Sequence, residues 1–180
     1  MKIKKEFIIT FSLILLSLSF LSFGQQFNNV AVIDSAKTMQ ISIEGKRVMS
    51  LLQQKEQQIL SELSKLDNQA QSLETRLYTQ KFTLAIEARD QMAKDLEALR
   101  TKRKKTEEES TKEFNQLEFN LVTKIKTEVL PLIKDIAQEK GFSLVLDLQA
   151  SGVAYFLPTI DITEEVIKRY DVLKAVKKEG

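Results

Sequence analysis

The sequence lacks cysteine, histidine and tryptophan altogether, and it holds only five glycines and two prolines. Without cysteine there can be no disulfide bond and no thiol nucleophile. Without histidine the commonest general base and metal ligand is missing, and five scattered glycines form no phosphate-binding loop. We identify no catalytic, cofactor-binding or metal-binding residue set, because Asp34, Asp147 and Asp161 are better interpreted as caps of turns and helices. The sequence therefore predicts a protein that is not an enzyme and needs no cofactor.

Helix-breaking residues are missing from the centre of the chain, where no glycine lies between Gly45 and Gly141. Apolar residues recur there at alternating steps of three and four, the spacing of a coiled-coil seam. The first series consists of Leu52, Ile59, Leu63, Leu66, Ala70, Leu73 and Leu77. We predict that residues 42–140 form a helical arm, capped by Ser42 and ended by Lys140 and Gly141.

The arm is predicted to reverse direction, because the seam loses its register after Leu77. Continuing the same steps would place Glu87, Gln91 and Lys94 in the core, whereas a new apolar series begins at Met92. We place the tip of a helical hairpin near residues 79–87. The alternative is one unbroken helix of nearly a hundred residues, which would keep apart two strands that need to meet.

The N-terminal 24 residues have a positively charged start, an apolar run from Phe7 to Phe23, and small residues before a cleavage point at Gln25. This plan is typical of a cleaved secretory signal peptide, and a retained membrane anchor is the alternative. Of the 27 basic and 25 acidic side chains, residues 1–24 hold three lysines and one glutamate, which leaves 24 of each sign. A mature chain with a formal net charge of zero gives no support to nucleic acid as a partner.

Two short segments flank the arm and predict a small β body from residues 25–41 and 141–180. Residues 30–34 and 142–147 are apolar, β-branched runs typical of buried strands. Gly152 is predicted to make a turn, and residues 153–157 are predicted to pair antiparallel with the second strand. Asp161 and Glu164 then suit the start of a terminal helix. The fold class is therefore α+β.

Two sets of arm residues are candidates for binding. Apolar residues near the tip, which suit a surface for unfolded chains but could equally pack against one another, are Tyr78, Phe82, Leu84, Ile86 and Met92. Basic residues that could contact an anionic ligand or a lipid headgroup are Arg100, Lys102, Arg103, Lys104 and Lys105. The simpler interpretation of the basic run is a solvated face, because Arg103, Lys104 and Lys105 each stand four residues before a glutamate.

The ordered set of segments resembles the Skp/OmpH family of periplasmic chaperones. The matching segments are residues 30–34, 42–46, 141–147, 153–155 and 161–163 with Val166. The resemblance implies a periplasmic homotrimer shaped like a jellyfish, with a trimeric β-barrel body and three helical arms around a cavity. It also implies an ATP-independent holdase that binds unfolded outer-membrane and envelope proteins and prevents their aggregation.

One property differs from the family. Its best-known members are strongly basic, and their arms are thought to attract acidic clients and lipopolysaccharide, whereas this mature chain is formally neutral. We therefore assign no specific lipopolysaccharide site, and peripheral contact with a membrane or lipopolysaccharide rests on the basic run alone. The alternative function is a structural or scaffolding coiled-coil envelope protein with one specific partner.

Overall fold

Strand β1 (Val30–Ile33) and strand β2 (Leu144–Asp147) form a two-stranded parallel sheet in which Val30 pairs with Leu144 and Ile33 with Asp147. The computed structural model describes residues 29–176, so the predicted signal peptide and its cleavage point lie outside the described residues. The last three residues of β1 are buried, as its apolar sequence requires. Because the two strands are parallel, the chain between them must return to its starting end, and the arm is that connection.

Two side-chain caps set the root of the arm. Helix α1 (Ser35–Ile41) begins where the Asp34 carboxylate accepts a hydrogen bond from the Lys37 N–H at 2.9 Å. Helix α2 (Ile43–Thr79) follows at once, and its N-terminus is capped by the Ser42 hydroxyl, which accepts from the Gly45 N–H at 3.1 Å. Both caps satisfy amide groups that the first turn of a helix leaves without a partner.

The arm is a hairpin of α2 and helix α3 (Ile86–Lys140), joined by residues 80–85. At 1.5 Å per residue the two helices are about 55 and 80 Å long. Helix α3 continues through Pro131 and ends at Gly141, whose φ of 74° lies in the left-handed region that glycine adopts without strain.

The seam between the two legs runs the length of the hairpin. On α2 the seven residues of the sequence pattern are all buried or half-buried, while most of their neighbours are exposed. On α3 the facing series begins at Met92, Leu96 and Leu99 and resumes at Phe114, Leu117, Leu121, Ile125 and Val129. Between these two groups the half-buried positions belong to Arg103, Thr106 and Ser110, so the middle of the seam is apolar on one leg and polar on the other.

The core of the body lies where the terminal helix crosses the roots of both legs. Helix α4 (Leu148–Ser151) and a 3-10 turn (Pro158–Ile160) lead to helix α5 (Thr163–Val176). Residues of the core cluster come from β1, from α2 and α3, and from α5 with the residue before it, and they are Ala31, Ile33, Val48, Ile125, Val129, Ile136, Ile162, Val166 and Tyr170. The body and the base of the arm therefore share one apolar core.

The predicted strand at residues 153–157 is wrong, because residues 152–157 have no regular secondary structure. The Asp147 carboxylate caps α4 by accepting from the Gln149 N–H at 3.2 Å, so a helical turn ends β2 directly. The neighbour of β2 is β1, in parallel. The other edge of β1 is covered by Asp161, next to which the Ile162 N–H donates to the Val32 carbonyl at 3.0 Å.

Candidate functional site

The tip of the arm presents three large side chains to solvent. Phe82 is 94% exposed, Tyr78 is 83% exposed and Ile86 is 66% exposed. The Lys81 ammonium lies 5.8 Å from the centre of the Phe82 ring, within the range of a cation–π contact. The short connection gives these side chains nothing to pack against within the described chain, so an apolar surface stands at the far end of the arm.

The other two apolar candidates near the tip, Leu84 and Met92, are half-buried. Met92 begins the α3 half of the seam. The structure thus divides the five candidates into three exposed residues and two that support the turn.

The basic run on α3 is largely paired with acidic side chains. Arg103 contacts both Asp67 across the hairpin, at 3.0 Å, and Glu107 one turn along its own helix. Lys104 and Lys105 lie 4.0 and 3.8 Å from Glu108 and Glu109, as their spacing indicates.

Arg100 completes the paired set by contacting Glu74 of the other leg at 3.0 Å. Lys102 has no ion-pair partner among residues 29–176. The run is therefore a mostly neutralised strip on an exposed helix, in which every pair remains reachable by solvent.

A cluster of charged side chains joins the terminal helix to both legs at the root of the arm. Lys174 of α5 lies 2.6 Å from Glu128 of α3 and 3.7 Å from Glu44 of α2. The Tyr170 hydroxyl donates to Glu128 at 2.6 Å, and Arg47 contacts both carboxylate oxygens of Glu44. One cation thus lies between carboxylates of opposite legs.

The environment of this root cluster shifts several pKa values. The hydrogen bond from Arg47 lowers the pKa of Glu44, against the opposing effect of burial and with help from the nearby Lys174 charge. Burial favours the neutral form of Glu128, but hydrogen bonds from Lys174 and Tyr170 outweigh it and hold the pKa of Glu128 below its ordinary value. Burial, together with the Glu128 carboxylate, raises the pKa of Tyr170 far above its ordinary value. The carboxylates are therefore ionised and the phenol is neutral at neutral pH.

Sequence reasoning missed the root cluster. Glu44 lies in the first turn of its helix, where an acidic residue is explained by the helix dipole alone, and Lys174 has no local pattern that points to a partner 130 residues away. The spacing of Tyr170 and Lys174, four residues apart on an amphipathic helix, placed both residues on one face but gave no sign of what that face contacts.

Residues 29–176 contain no group of three or more acidic, histidine or cysteine side chains placed to hold a metal ion. In the same part of the chain, no helix combines the length and the apolar character needed to cross a membrane.

Comparisons with known proteins agree with the architecture. A solved structure from Caulobacter crescentus CB15, described as a candidate outer membrane chaperone (OmpH-like), is similar with a TM-score of 0.72 and 25% sequence identity. The similarity covers 83% of this chain and 88% of that one. The curated proteins gave no match. The model of the family described as "Outer membrane protein (OmpH-like)" matches residues 29–170, and the chain therefore belongs to the OmpH-like family.

Proposed function

We propose that the chain is an ATP-independent holdase of the periplasm that binds unfolded outer-membrane and envelope proteins and prevents their aggregation. The observation that carries the proposal is the shape of the arm. Two long helices extend from a small body, and the exposed Tyr78, Phe82 and Ile86 lie at the tip where the helices are joined. Exposed apolar side chains on a slender support suit the capture of chains whose own apolar residues are not yet buried. Membership of the OmpH-like family, with a relative described as a candidate chaperone, supports the same role.

We further propose that the working form is a homotrimer with a shared β-barrel body and three arms around a client cavity. The body of one chain supports an assembly, because β2 lies at the edge of a two-stranded sheet. Exposed apolar side chains on β1, on β2 and in the segment after α4 are Val30, Leu144, Tyr155 and Leu157. Exposed strand edges with apolar neighbours are usually covered by a partner. The number of copies follows the resemblance to the Skp/OmpH family, and sedimentation of the mature protein at three chain masses would test it.

In this proposal the protein binds its client without a nucleotide, because each contact is weak and the affinity comes from several arms that contact one client. Tyr78, Phe82 and Ile86 supply direct contacts at the tip, while Leu84 and Met92 keep the tip in shape. The run from Arg100 to Lys105 remains a proposed contact for anionic groups, with Lys102 its least neutralised member. Because Arg100, Arg103, Lys104 and Lys105 already have acidic partners, we expect any attraction to lipopolysaccharide or anionic lipid to be weak and sensitive to salt.

The alternative is a scaffold that uses the arm as a spacer for one specific partner. The unbroken seam from Val48 to Leu77 favours this alternative, because a spacer needs a continuous arm. A scaffold would bind one protein stably, whereas a holdase would bind many unfolded proteins transiently.

Dilution of urea-unfolded outer-membrane barrels into buffer, with and without the mature protein and without nucleotide, tests the proposal by light scattering. We expect suppressed aggregation for several unrelated barrels at roughly equimolar trimer. The double variant Tyr78→Ser with Phe82→Ser should need a higher concentration for the same effect. Val172→Ser is the matched control, because it makes the same kind of change at an exposed residue of the body. Unchanged scattering with every barrel would rule out the holdase and favour the scaffold.

A further inference from the structure

The hairpin has two distinguishable sides, which can be assigned from the order of residues around the seam. A residue that directly follows a seam residue lies about 100° further around the helix, and a residue that directly precedes one lies about 100° the other way. On α2, Leu60 follows Ile59 and Gln58 precedes it. We call the two sides of the hairpin the Leu60 side and the Gln58 side.

Contacts across the hairpin show that both legs share these two sides. Glu74 follows the seam residue Leu73, Arg100 follows the seam residue Leu99, and the two side chains form an ion pair at 3.0 Å. The residues that precede seam positions also meet, because a cleft of about 280 Å³ between the legs is lined on that side by Gln58, Glu62, Glu109 and Glu113. Residues that directly follow seam positions on one leg thus face the residues that directly follow seam positions on the other leg, as two antiparallel helices require.

More exposed apolar side chains of the arm lie on the Leu60 side than on the Gln58 side, whereas Phe119, two residues from the seam residues Leu117 and Leu121, faces outward on neither side. Met49, Leu60 and Tyr78 on α2 and Leu130 on α3 all directly follow seam residues and are all exposed. On the Gln58 side the exposed large apolar residue is Leu51, which at 37% is the least exposed of the arm's exposed apolar residues. The Leu60 side of the hairpin therefore carries several exposed apolar side chains, and the Gln58 side is almost wholly polar.

The spacing of these side chains decides what could cover them. Met49, Leu60 and Tyr78 are separated by eleven and eighteen residues, or about 17 and 27 Å along the helix axis. A helix from a second copy would need an apolar residue every 3.5 positions to form a stable seam. The positions on this side that follow the intervening seam residues are instead polar or charged, and they are Gln53, Ser64, Asp67, Gln71 and Glu74. Isolated apolar contacts separated by polar surface suit a flexible, extended chain with apolar side chains at intervals.

Resting on the proposed holdase function, we propose that the Leu60 side is the client-facing surface of the arm. Its occupant is an extended segment of an unfolded outer-membrane protein, which contacts Met49, Leu60, Tyr78 and Leu130 one at a time. The Gln58 side faces away from the client. Because each contact is isolated, a bound segment can slide or exchange without being released from the whole surface.

Single-cysteine labelling tests the proposal, since the sequence has no cysteine of its own. Mature variants Leu60→Cys and Gln58→Cys lie at nearly the same height on opposite sides of α2. Leu130→Cys and Asn120→Cys lie on opposite sides of α3, about 15 Å apart along its axis. Each is labelled with a benzophenone maleimide, mixed with a fluorescent, urea-unfolded outer-membrane barrel diluted from denaturant, and irradiated. We expect several-fold more client cross-linking from positions 60 and 130 than from 58 and 120.

A substitution pair gives an independent readout. Met49→Gln with Leu60→Gln should raise several-fold the concentration needed for half-maximal suppression of aggregation, whereas Leu51→Gln on the other side should leave it unchanged. Equal cross-linking from both sides, with aggregation still suppressed, would overturn the sided surface and leave the holdase function standing. Cross-links from position 60 mainly to a second copy would overturn it in favour of a subunit interface. Failure of every variant and of the wild type to suppress aggregation would overturn both proposals.

Discussion

The ammonium of Lys174 lies 2.6 Å from the Glu128 carboxylate, and the side chains of both residues are less than a fifth exposed. Glu44 of the other leg lies 3.7 Å from the same ammonium. A single residue of the terminal helix thus neutralises acidic groups on both legs at the place where the arm leaves the body. The terminal helix is therefore part of the arm's support as well as of the body.

Replacing Lys174 with methionine should destabilise the protein by about 2–3 kcal/mol. Removal of one partner from a buried ion pair costs about 3–5 kcal/mol, and the residual exposure of this cluster reduces that range. Glu128 would be left without its cation partner, whereas Glu44 would keep its contact with Arg47. Urea unfolding followed by circular dichroism measures the change.

Two further variants separate the charge effect from the loss of packing. Adding Glu128→Gln to the Lys174→Met variant removes the uncompensated charge and should restore part of the stability. Lys168→Met, at an exposed position of the same helix, should change stability by less than about 0.5 kcal/mol. Equal effects of Lys174→Met and Lys168→Met would show that the cluster contributes nothing.

Acid should weaken the root cluster in a defined direction. The folded-state pKa values of Glu44 and Glu128 lie below the ordinary value of 4.5, so the folded protein binds fewer protons than the unfolded chain in acid. Their contribution to stability is present above pH 4.5 and is lost as the pH falls through the lower folded-state values.

We expect the contribution of these two groups to the free energy of unfolding to vary little between neutral pH and about pH 5. Below about pH 5 we expect the free energy of unfolding to decrease. Glu128→Gln should show a shallower fall than the wild type, since it keeps a hydrogen-bond acceptor for Lys174 and Tyr170 but cannot be protonated. Urea titrations at a series of pH values check this. Parallel curves for the two proteins would contradict the assignment.

Gly45 should not tolerate a side chain, although it lies in the first turn of a helix. A Cβ atom there would lie 1.9 Å from the Met39 carbonyl oxygen, which belongs to the backbone of α1. Alanine gains about 1 kcal/mol over glycine from helix propensity, but the overlap forces the two helices apart. We expect Gly45→Ala to destabilise by about 3 kcal/mol, at the upper end for overpacking.

The comparison for this prediction is Gly141→Ala. A Cβ atom at Gly141 would meet nothing within 4 Å, but its φ of 74° disfavours other residues, so the expected cost is only about 1–2 kcal/mol. Thermal unfolding of both variants ranks them. A smaller loss for Gly45→Ala than for Gly141→Ala would show that the junction of α1 and α2 is loosely packed.

The arm could be predicted from the sequence because its information is local. The 3–4 spacing from Leu52 to Leu77 and the cap at Ser42 are short-range patterns, and the structure has the seam and the cap in those places. The connection at residues 80–85 falls where the register of the seam is lost.

The sheet was harder to predict because strand pairing is set by distant contacts. The apolar run at residues 153–157 has the composition of a strand. However, β2 is followed directly by a helical turn that Asp147 caps, and the second edge of β1 pairs with Asp161 instead. The polar half of the seam was equally hard to predict, because the half-buried Thr106 and Ser110 have no apolar pattern of their own and line a cleft with Ile59 of the facing leg. Local composition predicts which segments can form helices and strands, but contacts between distant segments decide which of the predicted strands form.

The polar middle of the seam leads to a last prediction, about the stiffness of the arm. Ser110 is half-buried and lines the same cleft of about 280 Å³ as Ile59, so there is room for a larger side chain. Burying most of a leucine contributes about 1–2 kcal/mol, and leucine is also the better helix former. Ser110→Leu should therefore slow hydrogen exchange in the middle of both legs.

Thr111→Leu is the control, because Thr111 is exposed and its replacement should leave exchange unchanged. Faster exchange in Ser110→Leu would show that the middle of the seam is already closely packed.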